Sequence, residues 1–177
     1  MASNTWVLDP THSEIQFKVK HLMITNVTGS FGSFQATATA SADDFSDAAI
    51  AFSADTESIS TGNEQRDAHL KSADFFDAAT FPKISFSAAS FTKKDAENYV
   101  LSGNLTIKDQ THPVTLSVEF GGVVKDPYGN TKAGFTLNGK INRQQFGLTW
   151  SAVTEAGGVL VSDEVKIQAE IQLVLQP

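Results

Sequence analysis

The sequence predicts an all-β fold: one antiparallel sheet of about eight strands, curled into a barrel, with a short helix and loop segment between strands. Two observations carry this. Apolar and polar residues alternate at period two through most of the chain, which gives each strand one apolar face. Turn-forming residues punctuate these runs at short intervals. A two-sheet sandwich is the alternative with the same local pattern.

The elements follow in order. In DPTHSEIQFKVKH (residues 9–21), Ile15, Phe17 and Val19 alternate with Glu14, Gln16, Lys18 and Lys20, and the apolar parity runs on to His21. Phe34, Ala36, Ala38 and Ala40 share a parity, as do Ile50, Phe52 and Ala54, and then Ile84, Phe86 and Ala88. Tyr99 to Ile107, Val114 to Phe120 and Phe135 to Ile141 repeat the pattern. The last run is the cleanest: Val165, Ile167, Ala169, Ile171, Leu173 and Leu175 face one way. Turns are expected at Asp43-Asp44, Asp109-Gln110, 126–130 and Gly157-Gly158.

One segment, residues 59–82, does not alternate. Thr61 followed by Glu64 reads as a capping box, which predicts a helix over about residues 62–70. Phe75, Phe76 and Phe81 then arrive on a connecting stretch and need a surface to pack on. The segment either plugs a barrel end or forms a lid over a mouth. Small residues on apolar parity, such as Ala36, Gly103 and Gly139, either leave a channel or let bulky neighbours interdigitate.

Composition narrows the function. The 177 residues suit one domain, 1–177. There are 13 Phe against 2 Trp and 2 Tyr, which suits a plain core or a pocket for a long apolar ligand. The net charge of −7 and the absence of a basic patch argue against nucleic acid as a partner. An anionic membrane surface repels such a chain on average. No apolar run approaches spanning length, so no stable membrane insertion is expected. Without Cys, thiol catalysis and thiolate metal sites are excluded. MASNTWVLDP lacks the basic and apolar regions of a leader, so a cytoplasmic location is expected, or a periplasmic one if a leader was trimmed.

Three polar readings compete. Asp9, His12 and Ser13 suggest a hydrolase triad, but neighbours on an extended chain point apart and no G-x-S-x-G elbow occurs. Turn chemistry bonding local backbone fits them better. The four His (His12, His21, His69 and His112) show no H-x-H or H-E-x-x-H spacing, so no metal site is assigned, and His112 reads as part of a DQTHP turn. Third, His21 and Arg143 continue apolar parities, while Arg66, Asp67 and His69 sit on the irregular segment. They suit a head-group site at the mouth of an apolar lumen, or a structural salt-bridge network.

Together the motifs resemble the YceI-like family of lipocalin-like polyisoprenoid-binding proteins. They are WVLDPTHSEIQFKVKH (6–21), GSFGSF (29–34), RDAHLKSADFFD (66–77), FPKISF (81–86), GNLTIK (103–108), HPV (112–114) and INRQQFGLTW (141–150). The resemblance implies an elongated antiparallel barrel around a long hydrophobic pocket, often as a homodimer. It implies a bound isoprenoid lipid, either a polyprenyl chain or a ubiquinone-like quinone, with no other cofactor and no catalysis. The DQTHP stretch departs from the family by lacking the Gly common at that hairpin.

The expected pocket lining is Phe17, Val19, Phe34, Phe52, Phe86 and Phe135, with Phe75 and Phe76 near the mouth. His21, Arg66, Asp67, His69 and Arg143 are the expected polar end. Carriage or sequestration of lipid is the leading function. An enzyme acting on such a lipid, and a ligand-free stress-response or interaction module, are the alternatives.

Overall fold

The computed structural model describes residues 3–41, 45–150 and 161–177. The turns expected at Asp43-Asp44 and Gly157-Gly158 lie outside the described residues. The strands are β1 (Asn4–Leu8), β2 (Glu14–His21), β3 (Thr25–Phe31), β4 (Phe34–Ala40), β5 (Ala49–Asp55), β6 (Ile59–Ser60), β7 (Lys83–Lys93), β8 (Asn98–Ile107), β9 (Gln110–Lys125), β10 (Thr131–Asn142) and β11 (Glu164–Leu175). One α-helix, α1 (Glu64–Lys71), lies between β6 and β7. No helix among the described residues is long and apolar enough to cross a membrane.

All strand pairs are antiparallel, and β1 pairs with both β4 and β11, which closes an eight-strand ring: β1-β4-β5-β7-β8-β9-β10-β11. The other three strands continue ring strands after a break. β1 and β2 both lie along β11, with Leu8 opposite Leu173 and Glu14 opposite Glu170. Residues 9–13, between β1 and β2, span the stretch that residues 171–172 span on β11, and the excess is absorbed by a 3-10 turn at Pro10–His12. The chain breaks again between β3 and β4 at Gly32-Ser33, and between β5 and β6 at Thr56–Ser58. These two breaks are tied together: the Gly32 amide donates to Ser58 O (3.1 Å) and the Asp55 amide to Ser33 O (2.9 Å).

The breaks divide the barrel into two ends. At the closed end, β1, β4 and β5 complete the ring. At the open end, β2, β3 and β6 flare from it, and no strand pairing joins β6 to β7. Residues 61–82 occupy that gap. They are moored by buried Thr56, whose amide donates to Pro82 O (2.9 Å) and whose hydroxyl donates to Phe81 O (2.9 Å).

Three local expectations change. The helix cap is Asn63, not Thr61: Asn63 Oδ1 accepts from the Arg66 amide (3.0 Å). Thr61 instead donates its hydroxyl to Asp67 (2.6 Å). The β8–β9 turn falls on Lys108-Asp109, one residue earlier than expected, with Lys108 at φ 57°. His112 is therefore a strand residue opposite Leu105, with its ring 5.2 Å from that of Phe146. Gly103 and Gly139 leave no channel of their own. The Phe86 ring crowds one and Leu116 the other, so a Cβ has no room at either position.

Candidate lipid-binding lumen

The closed end is a packed aromatic core. Phe45 is essentially fully buried at its centre, 5.0 Å from Trp6, 5.2 Å from Phe135 and 5.7 Å from Phe120 by ring centroid. Phe120 stacks on Phe135 at 5.0 Å, and Phe91 on Tyr99 at 4.5 Å. Outside this end Asp9 binds Lys132 (2.7 Å), His12 Nδ1 (2.8 Å) and the Thr11 amide and hydroxyl. The bond from Lys132, helped by His12 and Thr11, holds the Asp9 carboxyl well below the usual carboxylate range, although partial burial opposes it. Ser13 does not join a relay with His12. Its hydroxyl accepts from the Gln172 amide (2.9 Å).

The open end encloses a cavity of about 310 Å³ with an almost wholly apolar lining. A second cavity of about 140 Å³ lies deeper and shares Ile15, Phe52, Leu105 and Ile167 with the first. One face of β11 runs along both: Val165 and Ile167 line the outer cavity, and Ile167, Ala169, Ile171 and Leu173 the inner. Eight residue steps of strand span roughly 27 Å. The lumen therefore has the length and chemistry for an extended apolar chain.

Most of the expected residues meet here. Phe17, Val19, His21, Phe52, Arg66, His69, Phe75, Phe76 and Arg143 all line the outer cavity. Phe86 and Phe135 line the inner one. Phe34 and Asp67 line neither; Phe34 packs on Phe52 at 6.1 Å, and Asp67 anchors Thr61. Phe17 reaches its position because Gly29, opposite it on β3, has no side chain in the way of the ring. Phe75 and Phe76 are buried yet still border the cavity, so residues 61–82 form a wall over it rather than filling it.

The polar residues around the mouth are not one salt-bridge network. Arg143, only 3 % exposed, spends its guanidinium on carbonyls: Leu148 O (2.6 Å), Trp150 O (2.8 Å), Ser162 O (2.9 Å) and Val161 O (3.3 Å). Burial pulls its pKa below the usual value, partly offset by Asp163 at 3.7 Å. It thus clamps the two chain segments that follow β10 and precede β11. Arg66 donates to the Thr61 hydroxyl (2.7 Å) and carbonyl (2.8 Å) and has no carboxylate partner among the described residues. His69 Nε2 meets Asp74 (2.9 Å), and its ring stands edge-on to Trp150 (4.8 Å) and Phe75 (5.1 Å). No side-chain hydrogen bond engages His21 among the described residues.

Sequence reasoning missed Phe31, Leu105, Ile107, Leu148 and Trp150 as cavity residues. Leu105 and Ile107 carried a usable signal, since they share the apolar parity of β8. Leu148 and Trp150 had none, because they follow the 3-10 turn Arg143–Phe146 and the left-handed Gly147, where periodicity ends.

Comparison with known proteins agrees with this architecture. A UPF0312 protein of Staphylococcus aureus is 40 % identical over 168 residues, covering 94 % of this chain and 95 % of its own. BcnA of Burkholderia cenocepacia superposes with a TM-score of 0.81 at 22 % identity, covering 93 % of this chain and 98 % of its own. A polyisoprenoid binding domain from Saccharophagus degradans, implicated in plant cell wall breakdown, gives a TM-score of 0.69 at 14 % identity over 97 % of this chain and 98 % of its own. The model of the YceI-like domain matches residues 6–173, and the chain belongs to that family.

Proposed function

We propose that this protein binds a long isoprenoid lipid in its lumen and carries or sequesters it without chemical change. The observation that carries this is the continuous apolar face from Val165 to Leu173 bordering two adjoining cavities. The family membership and the polyisoprenoid-binding structural relative support the same reading. The chain would lie against Phe17, Val19, Phe52, Phe75 and Phe76, with its tail toward Phe86 and Phe135. Its head group would rest near His21, Arg66 and His69, which are among the residues lining the outer cavity. Arg143 and Asp67 would hold the mouth in shape. Removing about 100 Å² of chain from water favours binding by roughly 2.5 kcal/mol before ordering costs.

Native mass spectrometry of protein purified from its host, followed by lipid extraction, tests the proposal. A co-purifying polyprenyl lipid or quinone is expected, recovered unaltered. A consistently empty protein that also takes up no added quinone overturns it.

A further inference from the structure

The β2–β3 hairpin is built in an unusual way. His21, Leu22, Met23 and Ile24 make a tight turn closed by the Ile24 amide on His21 O (3.2 Å). Leu22 and Met23 take φ of 54° and 61°. Two central residues with positive φ mark the type I′ hairpin turn, which favours Asn-Gly. Bulky side chains rarely adopt that backbone. Here three successive large apolar residues hold the tip, and all are exposed: Leu22 at 39 %, Met23 at 52 % and Ile24 at 76 %. Local propensity and solvation both disfavour this sequence, so neither explains the tip.

A second observation concerns charge. Residues 15–42 contain no Asp or Glu in a chain of net charge −7. On the outer face below the tip, Lys18 stands opposite Lys166, which stands opposite Lys140. Like charges in directly opposed positions repel. Lys140 has Glu164 at 3.9 Å; Lys18, Lys20 and Lys166 have no acidic partner among the described residues. Among the described residues, Asp163 faces Arg143 and Gln144, Glu14 and Glu170 oppose each other further down the barrel, and on the 61–82 segment Asp67 binds Thr61 and Asp74 meets His69. Among the described residues, the apolar tip thus tops a wall on which Lys18, Lys20 and Lys166 are left without acidic partners. It also adjoins the lumen, because Val19 and His21 on the same strand line the outer cavity.

We infer that the β2–β3 hairpin docks the open end on an anionic phospholipid bilayer. Leu22, Met23 and Ile24 enter the headgroup and acyl boundary, while Lys18, Lys20 and Lys166 face lipid phosphates. The mouth then faces the lipid source. The membrane's role as that source rests on the proposed lipid binding; the docking itself rests on the tip and the lysine row. The charge rule of the whole molecule does not decide this contact, because fields beyond about 8 Å are largely screened at physiological salt.

Two assays separate the two ideas. Flotation with vesicles of phosphatidylcholine and phosphatidylglycerol reads docking. Equilibrium uptake of a long-chain quinone delivered from cyclodextrin, without vesicles, reads the lumen. Leu22→Asn with Met23→Gly and Ile24→Thr installs the residues the turn favours, so the variant should fold at least as stably as the parent. It should lose about tenfold or more in vesicle partitioning, the scale set by apolar side chains that no longer leave water. Its quinone uptake should be unchanged. Lys18→Gln with Lys166→Gln should weaken binding to the mixed vesicles but not to pure phosphatidylcholine. Unchanged vesicle binding in the tip variant overturns the inference, as does a parent protein that never floats. A parent dimer that the tip variant converts to monomer also overturns it, by assigning the tip to a second copy of the chain. Failed quinone uptake with intact flotation removes the lumen's proposed role and leaves docking standing.

Discussion

Both ends of the barrel are rich in aromatic rings, yet they use them in opposite ways. At the closed end Phe45 packs on Trp6, Phe120 and Phe135, and the smaller cavity of about 140 Å³ lies beside Phe45 and Phe135. At the open end Phe17, Phe31 and Phe76 form a chain around the perimeter, at 5.7 and 6.0 Å, with a cavity inside it. Ring count does not separate the ends; backbone does. Where the ring of strands is complete, facing walls are near enough for side chains to meet. Where β2, β3 and β6 flare and residues 61–82 replace a strand pair, they are not. The difference teaches that broken strands, more than small residues, open this lumen.

The same substitution at both ends should break the comparison if it is wrong. Phe45→Ala empties the centre of a packed core and should cost about 3–5 kcal/mol. Phe17→Ala removes a ring that is only half-buried, where Phe45 is almost fully buried, so it should cost less, about 1–2 kcal/mol, while weakening ligand binding. Chemical denaturation of both variants, with quinone titration of the second, checks the pair. Equal losses of stability would mean that the open end is as tightly packed as the closed one.

Acid should act on the closed end. The Asp9 carboxyl titrates below its ordinary range when folded, so it binds protons less readily than in the unfolded chain. Its stabilising effect is full above the ordinary carboxylate range and is lost as pH falls below about 4. Asp9→Asn should flatten the acid limb of a stability–pH curve and leave ligand binding at neutral pH unchanged. An unaltered limb would show that the Asp9–Lys132 pair is not what acid breaks.

Arg66→Gln should have the smallest effect on stability, within about 0.5 kcal/mol, because Arg66 is an exposed residue on a polar helix. It should still reduce preference for an anionic over a neutral head group. Competition between a prenyl phosphate and the matching prenyl alcohol reads this; equal preference in parent and variant would remove Arg66 from the head-group site.

Much of this division was legible in the alternation of β2, β4 and β5 and of β7 to β11, whose inward faces the sequence marks clearly. The breaks were not. β1 is too short to show a period, and β3 carries Gly29 where an apolar side chain would have marked its inward face. That glycine is informative only once Phe17 is seen lying over it. The polar end was legible as a list but not as a network. Parity marked Arg143 as inward, but its four carbonyl partners belong to backbone brought together only by the fold.

In the proposed complex an apolar chain enters at the open end and extends toward the closed one. Methyl NMR during titration with isoprenoids of increasing length tests it most directly. A short isoprenoid should shift Val165, Ile141 and Ile167, which line the outer cavity, and a long one should extend the shifts to Leu173. Shifts confined to outward Val123 and Val124, or none at saturating ligand, would contradict the account.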